Sequence, residues 1–158
     1  MTTSPIGCGI VAARLVYIIA SLEYCTFKIP ICLMSDPADF QYATHLNEYY
    51  EQLQIVDVPA LVAACVDKWY NQTLCRVNES VVRLGVMQGE YHWHKHDDLD
   101  EFFFVLEGHF LIDLEDRTID LGPQQGFVVP KTIVHRTRAP ERAVILMVEG
   151  AGIVPTGD

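Results

Sequence analysis

Basic residues are scarce in this chain. Its 158 residues carry 11 Lys and Arg against 21 Asp and Glu, giving a formal net charge of −10 and a pI near 4.9. Nucleic-acid binding needs clustered cations to displace counterions, and no basic stripe is present, so a nucleic-acid partner is not expected. Long unbroken apolar runs are missing too. The apolar segment 6–34 is interrupted by Arg14, Glu23 and Lys28, short of the roughly 20 residues that span a bilayer. No basic cluster precedes it and no small-residue cleavage site follows, which argues against a secretory signal. The five cysteines include no CxxC pair, and Cys8, Cys25 and Cys32 fall in the first 33 residues. That usage implies free thiols in a reducing, cytoplasmic setting rather than a disulfide framework. Phosphate loops, local hydrolase signatures, internal repeats and low-complexity tracts are absent as well.

What is present is enough apolar sequence, 50% of the residues, for one compact domain of ordinary size. Residues 1–33 read as an extension, either native or an effect of start-site choice, since the natural protein could begin at Met34. Residues 34–72 read as a helical lead-in. Asp36 is a suitable N-cap with Pro37 in the first turn, and Phe40, Ala43, Leu46, Tyr50 and Leu53 recur every three or four residues, predicting about five helical turns. A short second helix is expected over 60–66, after Pro59.

From Thr73 the pattern changes to short β-runs. Strands are expected over 74–77, 81–87, 91–95, 101–106, 110–114, 117–121, 126–129, 133–138 and 144–149. Asn78-Glu79, Glu107-Gly108, Glu115-Asp116 and Pro123-Gln124 supply turn residues between them. Many short strands with regular turns favour a sandwich or barrel over residues 73–152, with 153–158 as a tail.

One stretch carries chemistry: His92-Trp93-His94-Lys95-His96, then Glu101, then His135. Residues two apart on a strand share a face, so His94 and His96 can present two imidazoles side by side. Glu101 opens the next apolar run and His135 lies in a further one, so three nitrogens and one oxygen can surround a point. No cysteine sits beside these histidines, unlike thiolate-rich structural zinc sites. Imidazole with carboxylate suits a divalent transition ion: Fe, Mn, Zn, Ni or Cu. The alternative is a half-buried face whose imidazoles only hydrogen-bond to neighbours. His92 shares the parity of His94 and His96 and is expected on the inner face, either as a pocket histidine or as a packed one. Asp97, Asp98 and Asp100 read as solvated loop carboxylates, and Arg83 and Arg136 as surface charges.

The spacing resembles that of small single-domain cupins, whose first motif is G-x5-H-x-H-x(3,4)-E-x6-G and second G-x5-P-x-G-x2-H-x3-N. His94, His96, Glu101 and Gly108 match the first, with Gly89 one residue too close. Pro130 and His135 keep the spacing of the second, while Gln124, Thr132 and Ala139 replace its two glycines and its asparagine. The runs 89–96 and 149–152 are similar to the mannose-6-phosphate isomerase-like cupin group. The resemblance, over about residues 73–152, implies a mainly β fold, a double-stranded β-helix (jelly-roll) barrel with one or two N-terminal helices.

It also implies a mononuclear metal site used on a small organic molecule, with oxygenase chemistry preferred over isomerase or lyase chemistry. A non-catalytic binding or sensing cupin is the alternative. His92 and Tyr91 are the candidate proton-moving residues. If Glu101 points to the metal, Phe103 and Val105 point inward with it, along with Ile133 and Val129. Phe102, Phe104 and Leu106 then face outward, a row that should not meet water, which predicts a homodimer or a covering helix.

Overall fold

The computed structural model describes residues 42–158. Strand β1 (Ala43–His45) is followed by helix α1 (Val58–Ala64) and then by seven strands: β2 (Trp69–Val77), β3 (Ser80–Glu90), β4 (Glu101–Glu107), β5 (Phe110–Leu114), β6 (Thr118–Leu121), β7 (Gly126–Val129) and β8 (His135–Gly150). They form one sheet in the order β1-β2-β3-β8-β4-β7, with β5 pairing both β8 and β6.

The organising strand is β8, which is expected from the sequence as two strands, 133–138 and 144–149, and is continuous. Along one edge its residues 138–150 pair with β3, with one irregularity between Met87 and Gly89. Along the other, its first residues pair with β5 and its last with β4. That change of partner curls the sheet around a single apolar interior, where Trp69, Met87, Phe103, Phe110, Ile112 and Ile145 meet from five different strands. The first and last residues of β8, His135 and Gly150, thus lie along one strand that touches three others.

Period-two alternation explains the walls. In β4 the residues Glu101, Phe103 and Val105 are buried while Phe102, Phe104 and Leu106 are only partly covered, as their parity requires. A second apolar cluster lies on the opposite face, where Leu74, Leu84, Val86 and Val144 are covered by Leu61 of α1. Helix α1 starts where expected chemistry permits: Asp57 accepts a hydrogen bond from the Ala60 N–H at 3.0 Å, and Pro59 occupies the first turn.

The long helix expected over residues 36–53 does not form in its described part, and residues 36–41 lie outside the described residues. Instead β1 runs parallel to β2 in the register Ala43↔Tyr70, Thr44↔Asn71, His45↔Gln72, and the Tyr49 and Tyr50 N–H groups donate to Thr73 and Leu74 carbonyls. The open edge of β2 satisfies the backbone that a helix would otherwise have satisfied internally. The supposed apolar stripe is not buried: Leu46 and Leu53 are both exposed, and Leu53 has φ 67°. The tyrosines carry the packing, with Tyr42 edge-on to Trp69 and Tyr91 at ring separations of 5.4 and 4.3 Å.

Two turns show what their residues are for. At Gly108, φ is +77° and a Cβ would stand 2.7 Å from the Arg142 carbonyl oxygen, so only glycine fits. Gln124 and Thr132, which replace the glycines of the second motif, keep the glycine conformation, with φ 65° and 69°.

Candidate metal centre

The segment expected as a strand over 91–95 is not one. Besides the Tyr91 N–H, which donates to the Thr137 carbonyl at 2.8 Å, it is held by a bridge in which the His94 N–H donates to the His135 carbonyl and the His135 N–H to the His94 carbonyl, both at 2.9 Å. Two residues on, the Thr132 N–H donates to the His96 carbonyl at 2.6 Å. These bonds fasten the irregular histidine segment to the approach of β8, so its side chains are placed by tertiary pairing rather than by pleat.

Four side chains converge there. One ligand atom from each of His94, His96, Glu101 and His135 lies within 4.8 Å of all the others. Glu101 Oε2 is 3.3 Å from His135 Nε2 and 3.7 Å from His96 Nε2. The first approach lacks hydrogen-bond alignment and the second is too long for a hydrogen bond, so Glu101 Oε2 and His135 Nε2 are buried without a hydrogen-bond partner, as is His96 Nδ1. Buried polar atoms are rarely left so. His135 Nδ1 lies 3.0 Å from the Ile133 carbonyl oxygen and His94 Nδ1 3.1 Å from that of His92. A carbonyl can only accept, so these contacts put the proton on Nδ1 and leave Nε2 with a lone pair. The donor set, three imidazoles and a carboxylate without sulfur, fits a divalent transition ion.

The electrostatics agree. Burial, followed by the neighbouring His135 ring, pushes His94 down to about 4, so it is neutral at ordinary pH. Burial alone would raise Glu101; where His135 and His96 present a proton to it, they outweigh burial and hold the carboxyl at about 2, and a bound cation would take the place of that proton. A neutral imidazole and an ionised carboxylate are the states a cation binds.

The remaining expected site residues fall differently. Tyr91 lines the small cavity next to His94 and Glu101, its hydroxyl donating to the Pro155 carbonyl at 3.0 Å. Burial, with Tyr42 and the two nearby carboxylates, pushes that hydroxyl up to about 12. His92, expected on the inner face, is exposed: without a strand there is no shared parity, and its Nε2 meets the Thr156 carbonyl at 2.9 Å. Ile133, also expected inside, is 40% exposed. Asp97, Asp98 and Asp100 are exposed as expected, with Asp100 accepting from the Lys131 N–H at 2.9 Å.

Two buried residues escaped the sequence reading. Arg83, expected at the surface, forms an ion pair with Glu149 in which both side chains are 4% exposed. Glu149 lines the same cavity as His94 and Glu101. Burial, then the Glu101 charge, raises its carboxyl to about 8 in spite of Arg83. The available signal was parity: Arg83 alternates with Val81, Gly85 and Met87, and Glu149 with Ile145 and Met147, all inward positions.

A jelly-roll β fold with a His/His/Glu/His cluster at one end of its interior defines the class, and the comparisons identify the family. A sequence model of the cupin domain matches residues 80–149. The "Uncharacterized protein YdbB" of Bacillus subtilis (strain 168) is 48% identical over 84 residues, covering 52% of this chain and 74% of that protein. The chain belongs to the cupin family. Among solved structures, a cupin-2 domain containing protein from Shewanella frigidimarina is 28% identical with a TM-score of 0.58, covering 61% of this chain and 94% of that one. Protein NMB1881 from Neisseria meningitidis shares the fold at 24% identity and a TM-score of 0.55, covering 61% of this chain and 99% of its own.

Proposed function

We propose that His94, His96, Glu101 and His135 hold one divalent transition ion, Fe, Mn, Zn, Ni or Cu, and that the protein is a metal-dependent enzyme acting on a small organic molecule. Oxygenase chemistry is preferred, then isomerase or lyase chemistry. The observation that carries this reading is the trio of buried, unpartnered atoms, His96 Nδ1, Glu101 Oε2 and His135 Nε2, in a cluster where carbonyls engage His94 Nδ1 and His135 Nδ1. When bound, such an ion supplies a Lewis acid that polarises substrate oxygen or a centre that activates dioxygen. The chain's own part is to exclude water and orient what enters. Tyr91, protonated over the whole neutral range, is suited to donate a hydrogen bond rather than to act as a base.

A specific observation favours the second reading, a binding or sensing cupin without turnover. The cavity beside the cluster has a volume of about 30 Å³, room for a water or two at roughly 10–15 Å³ each. Elemental analysis of purified wild type, His96→Ala and Glu101→Ala tests the shared premise: one ion per chain in wild type and a large loss in both variants is expected. No stoichiometric metal under several supplemented expression conditions would remove it. Oxygen uptake with catechols, diketones and thiols then separates enzyme from sensor.

The proposal includes a cytoplasmic homodimer. Val128 and Val148 flank Phe102 on the outer face of β4 and are 48% and 37% exposed, a face that a second copy would cover. Size-exclusion chromatography with light scattering giving a monomer would count against it, and cell fractionation checks the location. Among the described residues, no helix is long and apolar enough to cross a membrane.

A further inference from the structure

Residues 154–158 lie across the histidine segment and are tied to it at four points. The Tyr91 hydroxyl donates to the Pro155 carbonyl at 3.0 Å and His92 Nε2 meets the Thr156 carbonyl at 2.9 Å. The Asp97 N–H donates to Asp158 Oδ2 at 2.7 Å and the Asp158 N–H to the Lys95 carbonyl at 3.1 Å. Between these ties Gly157 takes φ +87°, and a Cβ there would stand 2.7 Å from His94 Cβ and 3.0 Å from the Lys95 oxygen. The segment therefore packs directly on a candidate ligand. Pro155 is itself part of the cavity wall that includes Tyr91, His94 and Glu101.

We propose that residues 154–158 form a strap that walls the metal cavity and sets the size of what reaches the ion, with Tyr91 and His92 as its anchors. Three features support this together. The strap contributes a wall residue, so removing it enlarges the cavity from the side of His94. Its ties are mostly single hydrogen bonds between exposed or part-buried groups, each of small net worth against water, so it can lift without unfolding the sheet. Its base is firm, because Ile153 is buried and its N–H donates to the Gly150 carbonyl at 3.0 Å, while the Ala151 N–H donates to the Glu79 carbonyl at 2.9 Å. A hinge at 153–154 separates a fixed sheet from a liftable strap. On this reading His92 and Tyr91 serve access: their polar atoms are engaged by strap carbonyls. With the strap down, the 30 Å³ cavity admits water-sized molecules, and a larger organic molecule enters only with it raised.

The strap inference rests on the metal reading for one of its two tests and stands without it in the other. In the metal-loaded full chain, a stop after Ile153, Asp158→Ala and His92→Ala are compared with wild type for the rate of metal release to EDTA. Release at least tenfold faster in the shortened chain, and several-fold faster in the two point variants, with unchanged metal stoichiometry, is expected. In metal-free protein, carbethoxylation of His94 by diethyl pyrocarbonate is followed by peptide mass spectrometry in wild type, the shortened chain and Asp158→Ala. At least fivefold faster modification is expected once the strap is cut or loosened. Should the shortened chain fail to fold, Asp158→Ala carries both arms. Rates equal to wild type in Asp158→Ala and in a folded shortened chain would overturn the strap. If no metal binds at all, the metal reading fails while the modification arm still decides the strap.

Discussion

Glu149 stands directly across the β4–β8 ladder from Glu101, and Arg83 on β3 closes on it as a buried ion pair. The ligand carboxylate therefore has a second carboxyl beside it, and that carboxyl is anchored by the interior guanidinium. Glu149 is raised to about 8 by burial and by Glu101, against an ordinary 4.5. Between these two values the folded chain binds a proton that the unfolded chain does not, so this stabilisation is complete below pH 4.5 and is lost as pH rises through 8. Glu149→Gln keeps the protonated shape and removes the titration. In metal-free protein the melting temperature of wild type minus that of Glu149→Gln should fall steadily from pH 5 to pH 8. A flat difference would show that Glu149 ionises normally.

The same pair predicts an asymmetry between single and double substitution. Arg83→Met removes the cation that partly offsets the raised Glu149 value, so the buried carboxyl stays protonated and loses its hydrogen-bonding partner, a cost of about 1–3 kcal/mol. Replacing both, as Arg83→Met with Glu149→Leu, removes the need for either charge, and most of that loss should return. Urea unfolding at pH 8 reads both. Equal destabilisation by the single and double variants would mean that packing of the Arg83 stem, not its charge, holds this corner.

Parity made part of this centre legible and hid the rest. Along β4, strict alternation in Glu101 to Leu106 gave the inner and outer rows correctly, because one face of that strand is buried and the other only partly covered. His94, His96 and His135 were legible as a set although the segment that carries His94 and His96 is no strand, since the backbone bridge between His94 and His135 restores locally what pleating was expected to supply. His92 was misplaced for that same reason. Arg83 was hidden because a charged residue in a strand is ordinarily a surface one, and its partner Glu149 lies 66 residues away in sequence. The expected helix over 36–53 failed in its described part because apolar spacing cannot register an open strand edge, and β2 offered one.

His94 gives the opposite pH signature to Glu149. Burial and the His135 ring lower it to about 4 from an ordinary 6.5. Between those values the unfolded chain holds more protons, so stability rises with pH across that window and is fully present above 6.5. His94→Ala should remove this slope: in metal-free protein, wild type minus variant stability should grow from pH 4 to pH 6.5 and then level. A wild-type minus His94→Ala difference that is flat between pH 4 and pH 6.5 would contradict the lowered value.

Thr132 offers a test of how the site is held. Its φ of 69° is a glycine conformation, disfavoured for a β-branched residue by roughly 1–3 kcal/mol. The segment adopts it because the Thr132 N–H reaches the His96 carbonyl at 2.6 Å, fastening the end of the histidine segment. Thr132→Gly keeps that N–H and relieves the crowding, at the cost of a more flexible unfolded chain, about 0.4–1 kcal/mol. The net expectation is stabilisation of about 1 kcal/mol, or roughly 4 °C in melting temperature. Thr132→Ala retains a Cβ and should recover much less. If glycine and alanine behave alike, the threonine side chain rather than its backbone accounts for the difference. If glycine destabilises, the Thr132 side chain makes a contribution larger than the backbone penalty it imposes.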